Sequence, residues 1–332
     1  MAGTLDAQTP PRVQTDDGVA LALEEAGGAQ GTSVAPGAPA APGTPIVLLH
    51  GITATRRYVV MGSRLLERSG MRTIAYDARG HGQSSPAPDR RAYGYERLAA
   101  DLLTVLDALG LEQAILAGAS MGAHTIVRFA LEHPERVAAL GLITPAYLPD
   151  EPAPPPSASA AETTAATAVA SQPDAPPAAT DAALATAPAD AFAAWDALAK
   201  GLREDGVDGF MAAYDFGAVP EAWRSTIETV VRQRLSRHEH PEAVADALEV
   251  VPRSRPFERV DDLAGIASPT LVVASRDEAD PGHPLAVGAR YARMIPGAEL
   301  LVEPAGPPAR SPIAWQGGQL SKALLGLAQR VT

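Results

Sequence analysis

The sequence predicts a doubly wound α/β fold, with a mostly parallel sheet and a helical cap inserted between sheet strands. Short continuous apolar runs, typical of strands covered on both faces, alternate with segments of helical periodicity. One such run leads into Gly118–Gly122 (GASMG) and then into a helix-compatible segment, which places a glycine-flanked serine between a strand and a helix. A block of helical pattern at 190–248 interrupts the alternation. Right-handed crossovers between alternating strands and helices make the strands parallel.

The individual elements follow from the spacing of apolar residues and from turn signals. Residues 13–25 alternate around Asp17-Gly18, which predicts a two-stranded hairpin. Apolar residues three or four positions apart predict the helices. The further predicted strands are 45–49, 71–76, 114–117, 137–144, 269–275 and 298–302, and the predicted helices are 57–69, 95–109, 123–131, 190–216, 220–248, 284–294 and 315–329.

The predicted domain organisation is one core in two parts. The first part covers 1–149 and contains a Gly/Ala/Pro-rich flexible insertion at 26–44. An Ala/Pro-rich linker at 150–187 is expected to be disordered, because it has too few large apolar residues to offset its ordering entropy. A helical cap at 188–257 follows, and the second part of the core covers 258–332.

Composition excludes several classes of partner and cofactor. The net charge of −12 opposes nucleic-acid and anionic-membrane partners, since an acidic surface releases no counterions from them. The absence of cysteine excludes disulfides, thiolate nucleophiles and cysteine-ligated metals. No metal and no cofactor are expected. No apolar run reaches the roughly 20 residues of a membrane span, and no signal peptide is evident, so the expected location is the cytoplasm.

Four segments carry a resemblance to a known family. They are His50-Gly51, Asp77–Ser84 (DARGHGQS), Gly118–Gly122 and the acidic loop that follows residues 269–275. In this order they resemble the α/β-hydrolase superfamily, in the branch of esterases, cofactor-free haloperoxidases and C–C bond hydrolases. The resemblance covers about 13–150 and 258–330, and the predicted cap lies where that family places its cap.

The resemblance implies roles for residues around the serine. Ser120 corresponds to the nucleophile, and the backbone N–H groups of Ile52 and Met121 correspond to the oxyanion hole. Such fixed donors stabilise a developing oxyanion without reorganising, and each contributes about 3 kcal/mol. Gly51 and His50 belong to the same binding turn. His50 is expected to shape the turn and to hydrogen-bond backbone rather than to react.

The acid of the expected triad has two candidates. The family's acid lies four residues before a proline that opens the next helix, which selects Asp280 before Pro284. Counting forward from the end of the strand favours Asp277 or Glu278 instead.

The base is the point at which the sequence departs from the family. The family's histidine follows the last strand, but the loop at 303–312 contains none, and Arg310 falls in that position. Arginine stays protonated and cannot serve as a base. Relocated candidates are His283, three residues after Asp280, and the cap residues His238 and His240. Each also has a purely structural interpretation, as a helix cap for His283 and as a solvent-exposed side chain for the other two.

The leading functional hypothesis is a serine hydrolase of a small ester, thioester or related carbonyl substrate. Trp195, Phe210 and Trp223 of the cap predict a substrate that is apolar in part. Two alternatives remain open: a non-catalytic, hydrolase-like ligand-binding protein, and a lyase- or isomerase-type enzyme that uses the same cleft. The basic run Arg232, Arg234 and Arg237 is interpreted as a solvated helix face, and the spacing of His238 and His240 does not suit a metal site.

Overall fold

The computed structural model describes residues 10–27, 43–149, 191–276, 282–304 and 312–331. Eight strands form one sheet in the order β1-β2-β4-β3-β5-β6-β7-β8. They are β1 (Arg12–Gln14), β2 (Ala20–Ala26), β3 (Ile46–Leu49), β4 (Thr73–Tyr76), β5 (Ala114–Ala119), β6 (Val137–Ile143), β7 (Thr270–Ala274) and β8 (Glu299–Val302). The β1–β2 hairpin and the β2–β4 pair are antiparallel, and all other pairs are parallel. The predicted, mostly parallel sheet is confirmed.

The helices agree with the sequence patterns at most positions. They are α1 (Leu65–Arg68), α2 (Tyr95–Ala108), α3 (Met121–Glu132), α4 (Ala191–Ala213), α5 (Glu221–Leu235), α6 (Pro241–Val250), α7 (Leu285–Met294) and α8 (Gly317–Ala328). Three helix predictions are wrong in part. The segment 190–216 ends as a helix at Ala213, and α4 is kinked at Asp205 and Gly206, whose backbone angles are not helical. The segment 57–69 is a 3-10 turn followed by the one-turn α1, because Met61 and Gly62 adopt left-handed backbone angles that end the turn. The segment 220–248 is two helices, since α5 ends at Leu235 and Pro241, which needs no N–H partner in a first turn, opens α6.

Helices cover both faces of the sheet, as a doubly wound fold requires. Successive strand residues point to opposite faces. Val47 and Leu49 therefore join an apolar cluster with α2, α3 and α7, whereas Ile46 and Leu48 join a second cluster with α1 and α8. This two-sided burial explains why the central strands are continuous apolar runs.

Helices α4, α5 and α6 form an insertion between β6 and β7, at the place predicted for the cap. They share an apolar cluster that includes Trp195, Phe210, Val231 and Leu248. Helix α6 also packs on the core, against the cluster that contains Met121. The predicted flexible insertion at 26–44 and the linker at 150–187 fall almost entirely on positions outside the described residues. In the described part of the chain, no helix combines the length and apolarity needed to cross a membrane.

The fold brings the ends of four parallel strands to one edge of the sheet. His50 follows β3, Ser120 follows β5, Thr144 follows β6 and Ser275 follows β7. The helical insertion lies over this edge, because Ile52 and Trp315 of the core pack against its apolar cluster. A cleft therefore forms between the strand ends and the insertion.

Candidate active site

A sharp turn between β5 and α3 presents Ser120. Its backbone angles, φ 49° and ψ −112°, are rarely adopted by a residue with a side chain. A Cβ added at Gly118 would lie 2.3 Å from the carbonyl carbon of Gly122, and one at Gly122 would lie 2.1 Å from the oxygen of Leu49. Both positions therefore require glycine. The N–H of Ser120 donates to the oxygen of Ile143 at 2.9 Å, which holds the turn to β6.

The turn after β3 packs directly on the turn that presents Ser120, which we call the elbow. A Cβ at Gly51 would lie 3.3 Å from the Cβ of Ser120. Ile52 and Met121 border the same cleft as Ser120. Met121 is the first residue of α3, and N–H groups of a first turn have no acceptor within the helix. Among the described residues, the N–H of Ile52 has no hydrogen-bond partner either. Both amides are thus free to donate at the cleft.

The cleft itself is small and mostly apolar, with a volume of about 160 Å³. Ser120 and Met121 belong to its core side, while Trp195, Phe210 and Val231 belong to the insertion side. The described residues contribute no carboxylate to its lining. The arrangement can bind a compact, partly apolar molecule beside the serine.

The basic run Arg232, Arg234 and Arg237, at the end of α5 and just after it, does not form one solvated face. The Arg232 side chain is 43% accessible and pairs with Asp208 at 2.6 Å, and the guanidinium of Arg237 lies 5.9 Å from the ring centroid of Tyr58. Arg234, in contrast, is half-buried and borders the cleft. It lies three residues after the buried Val231, so the two share a helix face. The interpretation of a solvated run is therefore wrong for Arg234.

His50 hydrogen-bonds backbone, as expected for a residue that shapes the turn. Its Nε2 accepts the N–H of Ala78 at 2.9 Å, so the ring proton is on Nδ1, which donates to the oxygen of Gly51 at 2.8 Å. Burial lowers the pKa of His50. With both nitrogens occupied, this ring has no nitrogen free for chemistry at Ser120.

His238 is held in the same way. Its Nδ1 accepts the N–H of Gly82 at 2.8 Å, and its Nε2 donates to the oxygen of Thr53 at 2.9 Å. Burial lowers the pKa of His238 to about 4. The ring of His81 lies between the two others, with its centroid 5.2 Å from that of His50 and 5.5 Å from that of His238. We refer to His50, His81 and His238 as the histidine cluster.

His240, the second cap candidate, precedes α6. Its Nδ1 lies 3.5 Å from Oε1 of Glu242, and the side chain is partly exposed. Neither His238 nor His240 belongs to the described cleft lining. Within the described ranges, no group of three histidine or acidic side chains is arranged to hold a metal ion.

His283 is the one base candidate that the structure brings to the cleft of Ser120. It is half-buried, borders that cleft and precedes α7. Asp277, Asp280 and Arg310 lie outside the described residues, so the acid and the position of the family's usual histidine stay predictions from the sequence.

Two cleft residues were missed by the sequence analysis. His124 lies four residues after Ser120, one turn along α3, and its Nδ1 is 2.9 Å from the hydroxyl of Tyr95. Both residues are buried and border the cleft. Burial, and then the charge of His283, lower the pKa of His124 to about 3. The available signal was a histidine one helical turn after the serine, on the helix that the elbow opens.

The chain is similar in sequence to known proteins. A family model described as alpha/beta hydrolase fold matches residues 44–308. The chain is 34% identical over 113 residues to the pig (Sus scrofa) bifunctional epoxide hydrolase 2, which is 33% of this chain and 20% of that protein. It is 35% identical over 99 residues to a mouse (Mus musculus) sn-1-specific diacylglycerol lipase, which is 30% of this chain and 31% of that protein. In both cases the match spans less than a third of the relative.

A solved structure extends the similarity over the whole fold. The thermophilic esterase from Thermogutta terrifontis superimposes with a TM-score of 0.67 at 24% identity. The superposition covers 97% of this chain and 98% of the esterase. At this identity the comparison shows a shared fold.

Proposed function

The chain belongs to the α/β-hydrolase family, and we propose that it is a serine hydrolase of a small ester, thioester or related carbonyl substrate. The geometry of the elbow around Ser120 is the main support for this proposal. A serine with a strained backbone, between two glycines that no other residue can replace, borders a cleft at a helix N-terminus. Strain of this kind costs about 1–3 kcal/mol and persists where the geometry serves a function.

In the proposed reaction, Ser120 Oγ attacks the substrate carbonyl carbon. The carbonyl oxygen becomes an oxyanion, to which the N–H groups of Ile52 and Met121 donate. Backbone donors are fixed before the reaction begins, and each is worth about 3 kcal/mol in the transition state. The tight packing of Gly51 on Ser120 supports this assignment, because it keeps the turn of Ile52 beside the elbow.

His283 is the proposed base. It receives the proton of Ser120 and then delivers it to the alkoxide or thiolate that leaves. Water, deprotonated by the same histidine, next attacks the acyl-enzyme; the acyl–Oγ bond breaks, His283 returns the proton to Ser120 Oγ, and the acid is released. The shared cleft supports His283 over His238, whose two nitrogens already hydrogen-bond backbone. Asp280, or Asp277 in its place, is expected to orient the base.

The substrate is proposed to be compact and partly apolar. A cleft of about 160 Å³ has room for a short acyl chain. Trp195 and Phe210 supply apolar surface from the insertion side.

Fluorophosphonate labelling, detected by intact mass, tests this function. Wild-type protein is expected to gain one adduct, and Ser120→Ala none. Ser236→Ala removes an exposed serine at the end of α5 and serves as the matched control, expected to label as the wild type does. A folded wild-type protein that gains no adduct contradicts the proposal and favours ligand binding or non-hydrolytic chemistry.

A further inference from the structure

Two polar residues of the cleft have no part in the proposed mechanism. Tyr95 opens α2, and His124 lies in the first turn of α3. They are only 4% and 3% exposed, yet both border the cleft that contains Ser120. A tyrosine hydroxyl and an imidazole in such a position need hydrogen-bond partners.

The partners of His124 fix its tautomer. Its Nε2 lies 2.9 Å from the backbone nitrogen of Ala146 and 3.1 Å from that of Tyr147. Both backbone groups can only donate, so Nε2 accepts and carries no proton. A neutral imidazole then carries its proton on Nδ1, which is 2.9 Å from the hydroxyl oxygen of Tyr95. His124 therefore donates to Tyr95, and not the reverse.

Because His124 is the donor in this hydrogen bond, the proton of the Tyr95 hydroxyl is left to donate to another group. Its oxygen accepts from His124, so its own proton points elsewhere. Burial raises the pKa of Tyr95, which keeps the phenol neutral. Across the described ranges, His124 is the only hydrogen-bond partner of this hydroxyl, and it is the donor. The result is an O–H donor at the wall of a mostly apolar cleft.

The surrounding structure holds this donor rigidly. The N–H of Tyr147, which donates to His124, belongs to a segment after β6 that α7 also contacts. There the hydroxyl of Tyr291 donates to the oxygen of Tyr147 at 2.8 Å. The segment after β6, which α7 holds in place, therefore sets the orientation of the His124 ring on α3. The His124 ring in turn sets the direction of the Tyr95 hydroxyl. Preorganised donors of this kind discriminate strongly between ligands.

We propose that Tyr95 is a substrate-binding residue that selects esters with a second oxygen acceptor, and that His124 is its positioning residue. This inference rests on the proposed function, in which the oxygen of the attacked carbonyl goes to the amides of Ile52 and Met121. The oxygen that Tyr95 recognises is therefore a different one, a hydroxyl or keto oxygen near the ester. The substrate class is a short hydroxy- or oxo-substituted ester.

Hydrolysis of matched methyl esters tests the inference. Methyl butyrate is compared with its 2-hydroxy, 3-hydroxy and 3-oxo derivatives. We expect the wild type to favour at least one oxygenated ester by roughly tenfold in kcat/KM, the worth of one well-placed hydrogen bond. Tyr95→Phe should abolish that preference through KM, with a larger loss of kcat/KM on the oxygenated esters than on methyl butyrate. Equal losses on all esters, or no loss, would overturn the inference.

Two variants of His124 separate positioning from simple structural damage. His124→Asn places an amide N–H near the position of Nδ1 and should retain the preference for oxygenated esters. His124→Leu removes the donor and should reduce the preference as Tyr95→Phe does. Loss of the preference in both variants, each still folded and labelled by the fluorophosphonate, would overturn the role of His124. Absence of labelling in the wild type would overturn the proposed function itself, a distinguishable result.

Discussion

Five of the histidines fall into two groups that differ in where their rings lie. The histidine cluster of His50, His81 and His238 lies where the insertion meets the core, and five of its six ring nitrogens hydrogen-bond backbone. His124 and His283 border the cleft of Ser120 instead. Burial lowers the pKa of all three cluster rings. A histidine near a reactive serine is therefore a base candidate only if one nitrogen is left for the reaction.

His124 shows that location and role can differ. It borders the cleft, but both of its nitrogens are occupied, by two backbone donors and by Tyr95. Its bonding is that of the cluster, although its position is that of the active site. It therefore influences the cleft through the hydroxyl that it orients.

The largest expected effect comes from replacing His283, which borders the cleft. His283→Gln should lower kcat by roughly 10⁴-fold, because the loss of a general base leaves Ser120 without a proton acceptor. Turnover and fluorophosphonate labelling rates would be measured side by side. His238→Gln is the matched variant from the cluster and should keep more than a tenth of the wild-type rate in folded protein. The reverse pattern would place the base in the insertion.

Acid should destabilise the protein through its buried neutral histidines. The pKa of His238 is about 4 and that of His124 about 3 when folded, whereas an unfolded histidine titrates near about 6.5. Between these values the unfolded state binds more protons, so stability falls as the pH falls. These two residues together should cost roughly 4 kcal/mol of unfolding free energy between pH 7.5 and pH 5.

Urea denaturation at the two pH values measures this loss. His238→Gln removes one of the titrating groups and should reduce the difference by roughly 2 kcal/mol. An unfolding free energy that is equal at pH 7.5 and pH 5 would show that these rings do not stay neutral in the native state.

Removing a cluster ring at constant pH should have a smaller effect. His238→Ala leaves the N–H of Gly82 and the oxygen of Thr53 without their partner, at a cost of roughly 2–3 kcal/mol. Urea denaturation at pH 7.5 measures it. A change below about 0.5 kcal/mol would mean that water replaces the ring at no cost.

The smallest effect belongs to the neighbouring histidine. His240→Ala should change the unfolding free energy by less than about 0.5 kcal/mol, because the side chain is partly exposed and makes no capping hydrogen bond to α6. The same denaturation series measures it, and this variant is the control for His238→Ala. A loss as large as that of His238→Ala would remove the distinction between the two residues.

Local rules made the elements and the elbow predictable. A central strand covered by helices on both faces needs a continuous apolar run, and 46–49 and 270–274 are of this kind. The glycines beside Ser120 signal close backbone contact, and the structure confirms that neither tolerates a Cβ. The helix predictions failed where the chain turns inside a helical pattern, as at Met61, at Gly206 and before Pro241.

The sequence by itself determined the class of fold, the order of its elements and the position of the nucleophile candidate, because these depend on contacts between residues that are near in the chain. Only the tertiary structure decided which histidine borders the cleft and which is held by backbone. His238 and Gly82 are 156 positions apart, and Tyr95 and His124 are 29 apart. Pairings over such distances depend on how the insertion and the helices pack on the sheet, and residue spacing carries no record of them.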